Sequence, residues 1–562
     1  MIVVLFCTSC EDFLDTKSYT QKDDSNFPIN DTDVDQMITA VYTVLRGNSW
    51  LQSSEFYGDD RYGGGGFNDR GTQANDHFLY TNVNSNAWTT QYRAIARAND
   101  AIKNIHLYTD EKTRNQREGE ILFIRSMYYF ELAMMFGDCP IIDEAPSNVQ
   151  ESQTFPPMAT QEELYRKIAT DLKRAYDIMP SDKWDQLLSG RATKWSAAAL
   201  LARVYLFYTG FYEQTSLPTQ DGSDITKAQV ISALEDCMQN SGHALVSDFR
   251  SLWPYSNSLT KIDYPFVADA PEWIRDGENP EHVFVVKYTH NTTHAIGASF
   301  ATGAALNYGI RNNGSPDRYH STFPIGQGWG NGPVTWCLWD DWVDAEPTDM
   351  RRAATIWNAE EETPPGQTYA YGGDSQMEET GLWQKKIIAT TAYKEDRTLW
   401  KSFFSSTVYY GDGLTDNYQL AHENDIAIIR YADVLLMHSE LSETVDGMNQ
   451  VRARVDLPPV AAYSLDAIKK ERRHELACEG IRWSDIRRWH IAEEALQRQV
   501  GKKIWNRGVQ MTMKDQGDGY AKRYRDTKGF QRRSQSEIDL SGGVLKQNEG
   551  WGPEHLYTSW QE

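Results

Sequence analysis

The stretch "ERRHELACEGIRWSDIRRW", residues 471–489, concentrates side chains that could do chemistry. His474 and Cys478 are four apart, and "HELAC" departs from the zinc-protease pattern HExxH only at its last position. Imidazole and thiolate both bind zinc. No third ligand is suggested nearby, however, and Gly480 closes the helix within two residues, so no metal ligand is assigned here. Glu475 and Glu479 share a spacing that would suit paired carboxylates. A general acid needs a raised pKa, and the surrounding arginines act in the opposite direction. No catalytic residue is assigned either. What remains is a brace. Arg472, Arg473, Arg482, Arg487 and Arg488 can form forked ion pairs with Glu475, Glu479 and Asp485, while Trp483, Ile486 and Trp489 supply an apolar anchor.

A chemistry of contact is better sought elsewhere. Trp (18) and Tyr (30) are abundant in a chain of mean hydropathy -0.61, and such rings offer a flat apolar face with a polar edge. "EFYGDDRYGGGG" (55–66) combines Tyr57 and Tyr62 as platforms with Asp59, Asp60 and Arg61 as hydrogen-bonding groups. Its glycines allow close backbone approach. "LNYGIRNN" (306–313) adds Tyr308 and Arg311. "GWGNGPVTWCLWDDW" (328–342) adds Trp329 and Trp336; Trp339 and Trp342 fall on a short helix and read as core. Trp88 is a further candidate that packing would explain equally well. Aromatic faces flanked by carboxylate, amide and guanidinium suit neutral sugars, which present CH faces and OH edges.

Elements must hold these loops. The 562 residues are enough for several domain-sized units. Helical periodicity appears at Val34, Ile38, Val41 and Leu45, then at about 86–107, 117–136, 160–179, 191–211 and 225–240, and again at 425–442, 443–454, 465–479 and 482–497. The "DTDVD" acids (31–35) imitate the start of a calcium loop. Gln36 and Tyr42 stand where that loop needs Gly and Glu, so they read as helix-capping acids. Alanines alternating with large rings in "RATKWSAAALLARVYLFYTGFY" (191–212) suit stacked helix pairs. Residues 243–420 are rich in Gly, Pro, Asn and Asp, with one clear strand, "HVFVVKY" (282–288). The expected division is 1–9 a lipoprotein signal peptide, 10–32 a tether, 33–242 an N-terminal helical part, 243–420 an irregular ligand-binding excursion, and 421–562 C-terminal helices and tail. All would form one intertwined unit.

The net charge of -23 argues against nucleic acid, whose phosphates require cations. Of six cysteines, Cys139, Cys237, Cys337 and Cys478 lie far apart, and Cys7 and Cys10 fall in "MIVVLFCTSC". An apolar run reaching Cys10 behind Thr8 and Ser9 reads as a lipoprotein signal with Cys10 lipidated, although the basic n-region is missing. No later stretch is apolar enough to span a membrane, so the membrane attachment would be a lipid anchor.

Several segments in order carry a resemblance. "AIIRYADVLLMHSE" (427–440), "MNQVRARVDLPP" (448–459) and "IKKERRHELACEGIRWSDIRRW" (468–489) resemble the C-terminal signature of the SusD/RagB family. "RSMYYFELAMMFGDCPII" (125–142), "TKWSAAALLARVYLFYTGFY" (193–212) and "CEDFLD" (10–15) extend it. His438, Ser439 and Cys478 depart from the usual residues. The resemblance implies a mainly α SusD-like fold, with about four tetratricopeptide-like helix pairs plus a loop-rich region holding a few short strands. It also implies an outer-membrane, cell-surface lipoprotein that is not an enzyme and needs no cofactor. Such a protein captures oligosaccharides and passes them to a partner SusC-like TonB-dependent transporter, acting as a lid. In the family the helix-pair face meets the transporter and the opposite loops hold ligand, which maps here to 48–90 and 290–345. The alternatives are a peptide- or protein-binding lipoprotein of the same family, and a glycoside hydrolase, for which no carboxylate pair is suggested.

Overall fold

The computed structural model describes residues 26–47, 55–81, 86–144, 155–275, 277–289, 302–311, 321–393 and 424–557. Cys10 and the tether to residue 25 lie outside them. Helices dominate, and the strands among the described residues are short and paired in twos.

The helices form a stack in which each packs on the next. Asp31–Tyr42 lies on Asn86–Lys103, which lies on Glu111–Phe136; that helix packs on Gln161–Ile178, then Lys194–Phe211, then Lys227–Asn240. The chain departs at Asn240, yet the stack continues. Tyr431–Ser442 packs on Lys227–Asn240 and also on Asp446–Ala453 and Leu465–Glu475. The middle of the chain is therefore an excursion from one helical array.

Local chemistry starts these helices where they start. Thr160, Thr193 and Thr226 each cap a helix through a reciprocal box with Glu163, Ser196 and Gln229, each cap contributing about 1 kcal/mol. Asn30 accepts from the Asp33 amide at 3.0 Å and Asp33 accepts from the Ile29 amide at 3.0 Å, so the "DTDVD" acids belong to a helix entry. Glu111–Phe136 is buried nearly all round from Gly119 to Ala133, because helices cover it on more than one side. Gly119 has Met179 against it so closely that a Cβ would sit 2.2 Å from the Met179 side chain.

The excursion is zipped to the stack where it leaves and returns. His282–Val286 pairs antiparallel with Ile426–Arg430, and Phe284 meets Phe123 of the long helix edge to face at 4.7 Å. This corrects the expected helix at 425–442: its first residues, Ile426 to Arg430, are strand, as their β-branched side chains favour. The expected helix at 482–497 is also two, Arg482–Arg488 and Ala492–Gln497, broken where His490 adopts φ 54°. The tail, expected to be irregular, holds a hairpin, Lys503–Asn506 with Val509–Thr512, and the helix Tyr520–Thr527.

Candidate functional site

The arginine-rich stretch is buried scaffolding, but its partners are mostly distant. The helix Leu465–Glu475 ends before Cys478, which sits at φ 64°. His474 and Cys478 therefore do not share the helix face on which a metal reading would depend. His474 stacks on Trp342 at 4.5 Å with the planes 8° apart; burial and then the charge of Arg351 push its pKa well down. Glu475 pairs with Arg430 at 2.8 Å and Arg351 at 3.0 Å, and also with Arg454. Burial alone would raise its carboxyl; those three guanidiniums reverse that and hold it well below the ordinary range. Glu479 takes Arg430 at 2.7 Å and Lys386 at 2.6 Å. Arg472 joins Asp433 (2.7 Å) to Asp485 (3.0 Å), and Arg488 joins Asp485 (2.8 Å) to Glu440. Arg487 departs from the expected ion pairing. It donates to the carbonyls of Met134 at 2.6 Å and Lys528 at 3.0 Å, and lies against the rings of Phe211 and Trp483.

The same network claims the groups expected to hold a sugar. Arg473 binds Asp60 at 2.6 Å and Asp59 at 3.2 Å, and Arg482 binds Asp59 at 2.7 Å. Burial opposes the Asp59 charge, but Arg482 and Arg473 prevail and keep its carboxyl low. Arg61 pairs with Glu55 at 2.8 Å and lies 3.9 Å over the Tyr308 ring. Tyr57 packs against Phe78 and Trp483. Tyr62 and Tyr308 are fully buried. Trp88 is wedged between Tyr92 and Phe136, at 4.9 and 5.3 Å. A ring or charge without exposed surface cannot meet a soluble ligand. Tyr57, Asp59, Asp60, Arg61, Tyr62, Trp88 and Tyr308 are accordingly corrected from ligand contacts to core and brace. Trp336 is half-buried and roofed by Lys503, whose ammonium lies 4.5 Å from its ring; it too packs rather than presents a face.

Two expected residues stay at the surface and come together. Trp329 is 43% exposed, and its carbonyl accepts from Arg311 Nη1 at 3.2 Å. Arg311 is fixed by Asp69 at 2.8 Å and Asp374 at 2.7 Å, both partly exposed. Three loops converge here. Gly65 N–H donates to Gly330 O (2.8 Å), Phe67 N–H to Ser375 O (3.1 Å), and Met377 N–H to Gly65 O (2.8 Å). Glycine is required at the crossing: Gly330 has φ 73°, and a Cβ there would lie 1.9 Å from Gln376 Oε1. The 48–90 loop, from its described residue 55 on, thus lies against the excursion, and the buried "GDDR" ties that loop down so that the Trp329 rim can form. Half-buried Phe67, under Arg507 at 5.3 Å, borders the rim.

Sequence reasoning missed Asp69 and Asp374. Asp69 closes the glycine run and accepts from Gly66 N–H. Asp374 follows two glycines in "YGGDS", a turn signal, and itself has φ 50°. The rim thus offers an exposed indole, a guanidinium held between two carboxylates, and the partly exposed carboxylates themselves.

Comparison with known proteins bears on the family and the fold. Residues 12–206 match the family model described as "Starch-binding associating with outer membrane", and residues 281–551 match that of the SusD family. The SusD-like protein P2 of Formosa agariphila is 26% identical over 428 residues, 72% of each chain. Surface glycan-binding protein A from Bacteroides fluxus superposes with a TM-score of 0.68 at 22% identity, covering 93% of this chain and 100% of that one. Surface glycan-binding protein A from Bacteroides thetaiotaomicron, in complex with laminarihexaose, gives 0.66 at 20% identity, again covering 93% and 100%.

Proposed function

This chain belongs to the SusD/RagB family, and from that premise we propose that it is a cell-surface glycan-binding lipoprotein. It captures oligosaccharides on the rim around Trp329 and delivers them to a partner SusC-like TonB-dependent transporter in the outer membrane. The carrying observation is the exposed Trp329 beside Arg311, Asp69 and Asp374, at a junction of three loops that the brace holds rigid.

The physics of capture follows from that arrangement. A sugar CH face stacks on the indole, as apolar faces do on rings with a polar edge. Its hydroxyls donate to the Asp69 carboxylate and accept from Arg311, with Asp374 holding the guanidinium in place and fixed geometry supplying selectivity. The laminarihexaose complex of the structurally similar surface glycan-binding protein A from Bacteroides thetaiotaomicron makes laminari-oligosaccharides the first ligands to try. No helix among the described residues is long and apolar enough to cross a membrane; membrane attachment through a lipid on Cys10, outside the described residues, is part of the proposal and is supported by the lipoprotein-like start of the sequence. Handover to the transporter would use the helical stack as the docking side.

Affinity electrophoresis against a panel of soluble polysaccharides tests the reading. Retardation by one glycan class, together with co-purification of a SusC-like transporter from the native outer membrane, is expected. Unaltered migration on every glycan, with binding to peptides instead, would replace it with the peptide-binding alternative.

A further inference from the structure

Behind the rim lies a cluster that neither the brace nor the glycan reading uses. Asp76 ends the short helix Arg70–Asp76 and His77 is its C-cap. Glu378 arrives from 301 residues further along the chain, and its Oε1 lies 2.9 Å from His77 Nε2. Its other oxygen accepts from the Gly64 amide at 2.9 Å. Asp76 Oδ2 is 3.8 Å from the same imidazole nitrogen. One donor atom from each of the three residues lies within 4.8 Å of the other two. Asp76 and Glu378 are fully buried and His77 is 2% exposed.

The charge balance here is unlike that of the brace. Asp59 and Asp60 each meet a guanidinium. Among the described residues, neither Asp76 nor Glu378 has a lysine or arginine within ion-pair distance. Two carboxylates removed from water beside one another carry a large penalty unless a proton or a cation offsets it. Asp76 Oδ1 is also buried without a hydrogen-bond partner, as is His77 Nδ1. The Asp76 carboxylate therefore has a buried acceptor that no protein donor satisfies, which a bound cation could engage.

We propose that Asp76, His77 and Glu378 bind one divalent transition-metal ion, zinc fitting best, which pins the glycine-rich loop to the segment beneath the Trp329 rim. Donors at about 2.0–2.2 Å from one zinc can be no more than about 4.4 Å apart, and the separations of 2.9 and 3.8 Å from His77 Nε2 satisfy that. One imidazole and two carboxylates suit zinc, whereas calcium takes six or more oxygens. Tyr520 holds the set in place: its hydroxyl donates to Asp76 Oδ2 at 3.3 Å and its ring stacks on His77 at 5.1 Å. The site does not depend on what the rim binds, so its failure would leave the glycan reading intact.

The test uses the intact protein. It is dialysed against zinc chloride, freed of loose metal by gel filtration, and assayed by elemental mass spectrometry. The same material is crystallised for anomalous diffraction at the zinc edge. One zinc per chain is expected, with a single anomalous peak among Asp76, His77 and Glu378. His77→Ala and Glu378→Gln should each lower retained zinc at least tenfold. Absence of retained zinc in the unaltered protein, or a peak located elsewhere, overturns the assignment even if the variants do not fold.

Discussion

Arg473, near the end of a C-terminal helix, closes on Asp60 at 2.6 Å across 413 residues of sequence. That single pair explains why the most sugar-like motif in the chain is not a sugar site. The carboxylates of "GDDR" are the counter-ions of the arginine motif, and they anchor the loop on which the exposed rim is built.

Removing one partner of such a pair leaves a buried charge alone. Arg473→Ala is expected to destabilise the fold by about 3–5 kcal/mol, read from urea unfolding followed by tryptophan fluorescence. Asp60→Asn should cost less, because Asp59 and Asp341 still receive the guanidinium. Combining the two should cost less than the sum of the singles. Additive losses would show that the pair is not coupled.

Backbone position should matter as much as the ring. Gly330→Ala puts a methyl into Gln376 at a position with φ 73°, so it should displace Trp329 while leaving the indole intact. Glycan affinity is expected to fall about tenfold with a smaller change in melting temperature than Arg473→Ala gives. Affinity equal to that of the unaltered protein would mean that the crossing does not set the ring's position.

One buried carboxyl should make stability fall with rising pH. Burial raises the Glu131 pKa from 4.5 to about 8, against a lowering hydrogen bond from Gln91. The folded state therefore holds a proton that the unfolded chain releases. The stabilisation is full below pH 4.5 and is lost as pH rises through about 8. Glu131→Gln should flatten the melting-temperature profile across that window and be the more stable form at its alkaline end. Parallel profiles for the two proteins would contradict this.

At the acidic end the brace should fail. Burial would raise the Asp433 carboxyl, but Arg203 and Arg472 bring it from 3.8 to about 2. Its contribution is present above pH 3.8 and is lost as pH falls through about 2. Asp433→Asn should be less stable than the unaltered protein at neutral pH, and the gap should shrink on acidification. A gap that persists at pH 2 would remove ionisation as the cause.

The helical array was readable because its signals are local: apolar periodicity, threonine caps and small residues among large rings in 191–212. Ile426 to Arg430 was misread as helix, because periodicity cannot distinguish a short β-branched run from the start of the helix it precedes. Composition identified the loops that meet but not which side chains face water. Tyr62 and Trp329 both stand among glycines, and only the fold buries one and exposes the other. Asp60 looked available because its partner lies at the other end of the chain. Asp76, His77 and Glu378 were invisible for the same reason, since their proximity depends on the folded glycine crossing.

The account rests on Trp329 as the ring that meets the ligand. Calorimetric titration of laminari-oligosaccharides and other glycans into the unaltered protein, Trp329→Ala and Tyr62→Ala tests it most directly. The expected result is saturable binding, weakened at least tenfold by Trp329→Ala at unchanged melting temperature, with Tyr62→Ala losing stability instead. Full affinity in Trp329→Ala, for a glycan that the unaltered protein binds, would contradict the claim.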